Sequence, residues 1–190
     1  MNDSKRIYRH LFFQIQLFVL LLLIDQGSKY MAASTLKMQP DVALIPDILF
    51  LHYLENTGAA FGIFRGKTWL FYILTGFILI LLAVIFIRIF TQLKQYPLRA
   101  GSDYKEKTVR NMTWIGYILA VMAAGASGNL LDRILHGYVI DFIDFRSIGF
   151  PVFNIADIYV VISCIIIVIF FLFVNKDDPN FHIFSSSKSS

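Results

Sequence analysis

LFFQIQLFVLLLLIDQGSKY, residues 11–30, is a run of fourteen uncharged residues broken by Asp25 and, four places on, by Lys29. Fourteen residues of helix reach only about 21 Å, short of a hydrocarbon core of ~30 Å. A membrane helix built on this run must therefore carry Asp25 and Lys29 with it, or begin well before Leu11. An ionisable group at that depth costs several kcal/mol, so it needs a partner or a purpose.

The rest of the chain makes a membrane setting unavoidable. Of 190 residues, 57% are hydrophobic and only 16% charged, with a mean hydropathy of +0.64. Soluble domains carry roughly a quarter charged residues. A cytosolic enzyme, a disordered chain and a disulfide-stapled secreted scaffold are excluded. Three more apolar runs follow, at 69–87, 112–131 and one through 158–174 that must draw in Asp157 to span. The expected fold is an all-α integral membrane protein, one domain over 1–190. Its four transmembrane helices fall at about 11–30, 69–87, 112–131 and 154–174. Lys5, Arg6 and Arg9 resemble the basic start of a cleavable leader, but Asp25 and Lys29 separate the apolar run from Met31-Ala32-Ala33, so the first span is expected to be retained.

Charge sets the orientation. Three Lys/Arg precede the first span, six lie between Arg88 and Arg110, and Lys176 and Lys188 follow the last span, making eleven of seventeen on one side. By the positive-inside bias both termini and a loop at 88–111 are cytoplasmic. The net charge of +4 thus reads as a topology signal and not as a nucleic-acid footprint. The sequon at Asn111-Met112-Thr113 falls on the wrong face. The outward segment at about 40–66 reads as a small extracytoplasmic β-element: a strand at 48–54, a turn at Glu55-Asn56-Thr57-Gly58, and an apolar return at 59–64. Phe61, Phe64, Trp69 and Tyr72 suit the interfacial belt, Gly58 and Gly62 suit turns or hinges, and the tail from Ser185 reads as disordered. Cys164, the single cysteine, lies amid Ile and reads as packing.

Once oriented, the costly polar residues fall into one outward layer. Asp25 and Lys29 are i and i+4 on one helix face; Asn129, Asp132 and Arg133 are i, i+3 and i+4 on another; Asn154 and Asp157 are i and i+3 on a third. Asp141 stands alone in the apolar run Val139–Ile143, and Asp144 reads as a solvated loop residue. Asp25–Lys29 could equally be an interfacial ion pair, and Asp132 a helix cap. No His/Cys spacing suits a metal, and no Ser or Cys pairs with a nearby His. Two close carboxylates in a partly dry site cannot both ionise, which permits aspartyl catalysis by Asp141 and Asp157. Buried Asp pairs also serve proton-coupled transporters, but here they form one layer and not a path across the membrane. A scaffold using the small residues Gly125–Gly128 to hold partner helices is a third reading.

At these residues the chain resembles the lipoprotein signal peptidase family, signal peptidase II. Five blocks carry the resemblance in order: Asp25-Gln26-Gly27-Ser28-Lys29, Asn56-Thr57-Gly58-Ala59-Ala60-Phe61, Gly128-Asn129-Leu130-Leu131-Asp132-Arg133, Val139-Ile140-Asp141-Phe142 and Phe153-Asn154-Ile155-Ala156-Asp157. The resemblance implies a cofactor-free and metal-free aspartyl endopeptidase of the bacterial inner membrane. It would remove signal peptides from prolipoproteins just before a diacylglyceryl-modified cysteine. It implies catalysis by Asp141 and Asp157, substrate binding by Asn56, Asn129, Arg133 and Asn154, and structural or orienting roles for Asp25, Lys29 and Asp132. The partners expected are prolipoproteins and membrane lipid, with no nucleic acid, and the enzyme is expected to be a monomer. The stretch at 96–107 and the tail past Asn175 match no family motif.

Overall fold

The computed structural model describes residues 3–58, 68–95 and 102–174. Among them run four long helices: α1 (Asp3–Thr35), α2 (Thr68–Gln95), α3 (Ser102–His136) and α4 (Ile155–Ile169), the last closed by a π-helical turn at Phe170–Val174. All four are long and apolar enough to cross a membrane. The protein is a mostly helical, multi-pass membrane protein.

The run at 11–24 is extended at both ends, so α1 has 33 residues, about 50 Å of helix, with Asp25 and Lys29 inside it. The segment at 88–111 is largely helix and not loop. Arg88 and Lys94 belong to α2, and Lys107 and Arg110 to α3. Hydropathy marks where apolar character stops, whereas Lys, Arg, Gln and Glu continue a helix without strain. Residues 96–101 lie outside the described ones.

α3 is the central helix, packed against α1, α2 and α4. Towards its basic end a cluster of Ile7, Leu82, Ile89, Leu93, Met112, Ile115, Leu119 and Phe170 ties the four helices together. Glycines set the close approaches. A methyl group on Gly125 would lie 2.5 Å from the Ala156 carbonyl oxygen. One on Gly116 would meet Gln14, whose amide instead donates to the Thr113 carbonyl at 3.1 Å. The small residues from Gly125 to Gly128 are therefore filled from within the chain. Leu23, Phe77, Ile80 and Val168 face outward, as lipid contact requires. Cys164 is exposed too, on the outer face of α4 and not in the packing expected of it.

Above the helices sits a three-stranded antiparallel sheet in the order β1-β2-β3, formed by Val42–Ile45, Leu49–Asn56 and Val139–Asp144. The strand expected at 48–54 runs on through Glu55 and Asn56, where a turn was expected. Its hairpin partner is upstream: Pro46 and Asp47, the latter at φ 63°, make the reversal. The expected return at 59–64, with Phe61, Gly62 and Phe64, lies outside the described residues, as does the tail from Ser185. β3 comes from the segment between α3 and α4. Its VIDFID sequence lacks the apolar/polar alternation of a half-solvated strand because the strand is covered on both faces. Ala32 of α1 and Leu36 just past its end pack on Ile140 and Phe142, seating the sheet on the helix. Asp144 is buried and not a solvated loop residue. It accepts from Arg146 Nε and Nη2 at 2.9 and 2.7 Å, and Arg146 also reaches Asp41 at 2.6 Å.

The glycine contacts give a direct test. Gly125→Ala should destabilise the protein by roughly 1–3 kcal/mol, because the obstruction is backbone and cannot swing aside. Gly76→Ala, with open space around it, should leave the thermal midpoint unchanged or slightly raised. Melting of both variants in detergent decides.

Candidate active site

α4 begins under an unusual number of restraints. Asn154 is its N-cap and Asp157 its third helical residue. Asn154 Oδ1 accepts from the Asp157 amide at 3.0 Å, and Asp157 Oδ2 accepts from the Asn154 amide at 3.2 Å, a complete capping box. The Ala156 amide, another donor that a helix start leaves free, is taken by Asp25 Oδ1 of α1 at 3.1 Å. Just before the cap, Phe153 exchanges backbone hydrogen bonds with Ile143 of β3 at 2.8 and 3.0 Å. Strand, cap and helix are thereby joined within a few residues.

The capping box also decides which way the Asn154 amide faces. With Oδ1 committed to the helix, Nδ2 must donate outward, to Asp141 Oδ1 at 2.6 Å and Asn129 Oδ1 at 3.0 Å. Asn129 Oδ1 also accepts from Lys29 at 2.9 Å, so its Nδ2 donates to Asp157 Oδ1 at 2.8 Å. Asn56 is fixed in the same manner: Oδ1 accepts from the Gly58 amide at 3.0 Å, leaving Nδ2 for Asp141 Oδ2 at 2.8 Å. Three asparagines therefore present N–H donors to two carboxylates. An aspartate in any of these places could accept but not donate.

Lys29 is buried, 1% exposed, and all three of its protons are used: Asp25 at 2.9 Å, Asp132 at 3.0 Å, and Asn129. Gln26 extends this cluster, lying 3.1 Å from Asp25, 3.0 Å from Asp132 and 3.2 Å from the Gly128 carbonyl. Asp132 also accepts from the Ile140 amide at 3.1 Å, binding α3 to β3 beside Asp141. A methyl group on Gly128 would lie 2.2 Å from Asp25 Oδ2, so this position must be glycine for α1 and α3 to meet here. Because Lys29 is fully engaged below, no cation among the described residues pairs directly with Asp141 or Asp157.

A cleft of about 550 Å³ opens on the two carboxylates, walled by Phe71, Phe150, Phe153 and Val161 and edged by Asn56 and Arg133. The Arg133 guanidinium lies 4.9 Å from the Phe71 ring centre and donates to the Asn129 carbonyl at 3.2 Å. Its own backbone carbonyl accepts from the Tyr72 hydroxyl. Asp157 is half-buried and faces the cleft, whereas Asp141 is 2% exposed. Burial pushes the Asp141 carboxyl from 3.8 up to about 7. The nearby Asp157 charge adds to the rise, and the Asn56 and Asn154 hydrogen bonds oppose it. The site is thus a pair of carboxylates, one deep and one at a greasy cleft, positioned by amides.

The model of the family described as signal peptidase (SPase) II matches residues 17–173 of this sequence. The chain belongs to that family. Lipoprotein signal peptidases of Staphylococcus aureus strains JH9 and Newman are 38% identical over 164 residues, covering 85% of this chain and 87% of theirs. Two solved structures described as bacterial membrane enzymes superpose with TM-scores of 0.66 and 0.64. They are 32% and 33% identical to this chain, covering 90% and 85% of it and 93% of each solved chain. This signal peptidase II is a membrane protease that removes signal peptides from prolipoproteins.

Asn56, Asn129, Arg133, Asp141, Asn154 and Asp157 come together at this cleft with Asp25, Lys29 and Asp132 directly beneath, whereas Asp144 pairs with Arg146 instead. Gln26, Gly128, Phe71 and Tyr72 have places in it that the sequence reading did not assign. Gln26 and Gly128 stand inside the quoted blocks, next to Asp25 and Asn129, and that adjacency was the available signal. Tyr72 was expected only in the interfacial belt, and Phe71 beside it on α2 stands in an ordinary apolar run where nothing in the sequence marks it. Asp157 also caps its own helix, though as the third residue of a box and not as the N-cap.

Two measurements test this geometry. Lys29→Met leaves Asp25 and Asp132 buried and uncompensated, and should cost about 3–5 kcal/mol, read as a lowered melting temperature. The second follows the raised Asp141 carboxyl. Its proton is held more tightly folded than unfolded, so its contribution is most favourable below about pH 4 and is lost as pH rises towards 7. Compared with Asp141→Asn, the native protein should lose roughly 2–3 kcal/mol of relative stability between pH 5 and pH 8. A difference that stays constant, or moves the other way, would contradict the assignment.

Proposed function

We propose that cleavage proceeds by aspartyl catalysis, with Asp141 and Asp157 as the pair. The observation that carries this reading is their contrast: two neighbouring carboxylates without a cation between them, one deep with a raised pKa and one facing the cleft. In this reading Asp141 holds the shared proton and Asp157 is ionised. Asp157 takes a proton from water as the water oxygen attacks the scissile carbonyl, and Asp141 donates to the carbonyl oxygen, giving a gem-diol. When the C–N bond breaks, Asp157 returns its proton to the leaving nitrogen and a gem-diol hydroxyl returns one to Asp141. Asn129 and the Asn154 amide hold both oxygens of Asp157. Asn56 and Asn154 hold those of Asp141. Arg133, which lines the cleft, binds the substrate backbone in this reading.

The substrate in this reading is a prolipoprotein cut just before its diacylglyceryl cysteine, with the acyl chains lying in membrane lipid along the apolar wall of the cleft. The enzyme acts as a monomer in the bacterial inner membrane, with both termini cytoplasmic and the carboxylates at the outer surface. The basic residues at both ends of the inner segments support this orientation.

Asp141→Asn and Asp157→Asn, each inserted normally in the membrane, should lower prolipoprotein cleavage by roughly 10²–10⁴-fold. Retained cleavage in either variant removes that residue from the pair. Equal cleavage of a substrate without the diacylglyceryl group would sink the lipid-directed specificity.

A further inference from the structure

A second built cavity lies at the other end of the molecule. Arg6 and His10 of α1, at i and i+4, face Arg110, Thr113, Trp114 and Tyr117 of α3, at i, i+3, i+4 and i+7, across a space of about 380 Å³. His10 lies fifteen residues before Asp25 in the same helix, about 22 Å along its axis, so this cavity is at the opposite membrane boundary. The signal peptidase reaction does not use it.

Its lining is chemically one-sided. Two guanidiniums are present and no carboxylate, and among the described residues neither Arg6 nor Arg110 forms an ion pair. The Tyr117 hydroxyl is held 3.1 Å from His10 Nδ1, fixing both groups against the cavity wall. Trp114 is 59% exposed and packs beside Tyr117, with ring centres 6.1 Å apart, so its indole stands where lipid meets headgroup. Paired guanidiniums match the geometry of a phosphate, and basic pockets between membrane helices take phosphorylated headgroups.

We propose that this cavity is a phosphate site that holds the headgroup of an anionic phospholipid from the leaflet opposite the carboxylates. Two cations and no acid suit a lipid with net negative charge better than a zwitterion, whose ammonium would find no counter-charge here. The acyl chains would then run along Trp114. Free inorganic phosphate offers the same chemistry without the chains.

The test uses Trp114 as its own reporter, with the other tryptophan removed as Trp69→Phe. The full chain is reconstituted in phosphatidylcholine vesicles containing a minor fraction of either brominated phosphatidylglycerol or brominated phosphatidylcholine, and indole quenching is followed. Brominated phosphatidylglycerol should quench more strongly at equal mole fraction, and its apparent affinity should fall roughly fivefold for each arginine neutralised in Arg6→Gln and Arg110→Gln. Arg6→Lys/Arg110→Lys should keep part of the preference, and circular dichroism checks that each variant is folded. Equal quenching by the two lipids in the native pocket, or an unchanged preference in the double Gln variant, overturns the site. Competition by millimolar inorganic phosphate overturns the lipid assignment in favour of a soluble anion.

Discussion

A lysine sealed between two carboxylates and an amide is the interaction on which the rest of the sheet-bearing end depends. Lys29 can be buried only because Asp25 and Asp132 are buried with it. Those two acids in turn pin other elements: Asp25 holds the first turn of α4, and Asp132 holds the backbone of β3. The cluster is thus a junction of α1, α3, α4 and the sheet, and removing Lys29 leaves two carboxylates uncompensated in a dry place. From Lys29 the cluster reaches the carboxylate pair through the neutral amide of Asn129.

That neutral link matters chemically. A cation placed directly on Asp141 or Asp157 would stabilise the ionised form. Asparagine conveys position without conveying charge. Each of Asn56, Asn129 and Asn154 has its oxygen occupied by a separate donor, so the N–H that faces a carboxylate cannot be exchanged for a lone pair by a simple rotation. The site therefore gains rigid donors while keeping its acids free to titrate.

Much of this was legible in the sequence. The fourteen-residue run before Asp25 called for a helix that takes Asp25 and Lys29 with it or begins well before Leu11, and α1 does both. The i, i+3, i+4 pattern at Asn129, Asp132 and Arg133 put three polar groups on one face, which is where they meet α1 and α4. Helix ends were not legible, because charged residues such as Arg88 and Lys107 lower hydropathy without ending a hydrogen-bond ladder. Nor was the third strand. VIDFID has no periodicity to read when both faces of a strand are covered, and its pairing partner lies some 85 residues away in the chain. Long-range pairing of that kind decides whether Asp144 is solvated or buried, so the local reading of Asp144 failed while that of Asp141 reached the right neighbourhood.

The short stretch from Phe153 to Asp157 imposes a mechanical asymmetry. Phe153 is stitched to β3, Asn154 caps α4, and both carboxylates hang from these two anchored pieces. The distance between them is therefore set by covalent geometry and a handful of short hydrogen bonds, much as the gap of a caliper is set by its frame. Widening the cleft by tilting α4 away from the sheet would pull the pair apart. On the other side of the cleft α2 brings Phe71, whose ring meets the Arg133 guanidinium, so a change of cleft width that keeps the pair together falls to α2 and not to the strands or α4.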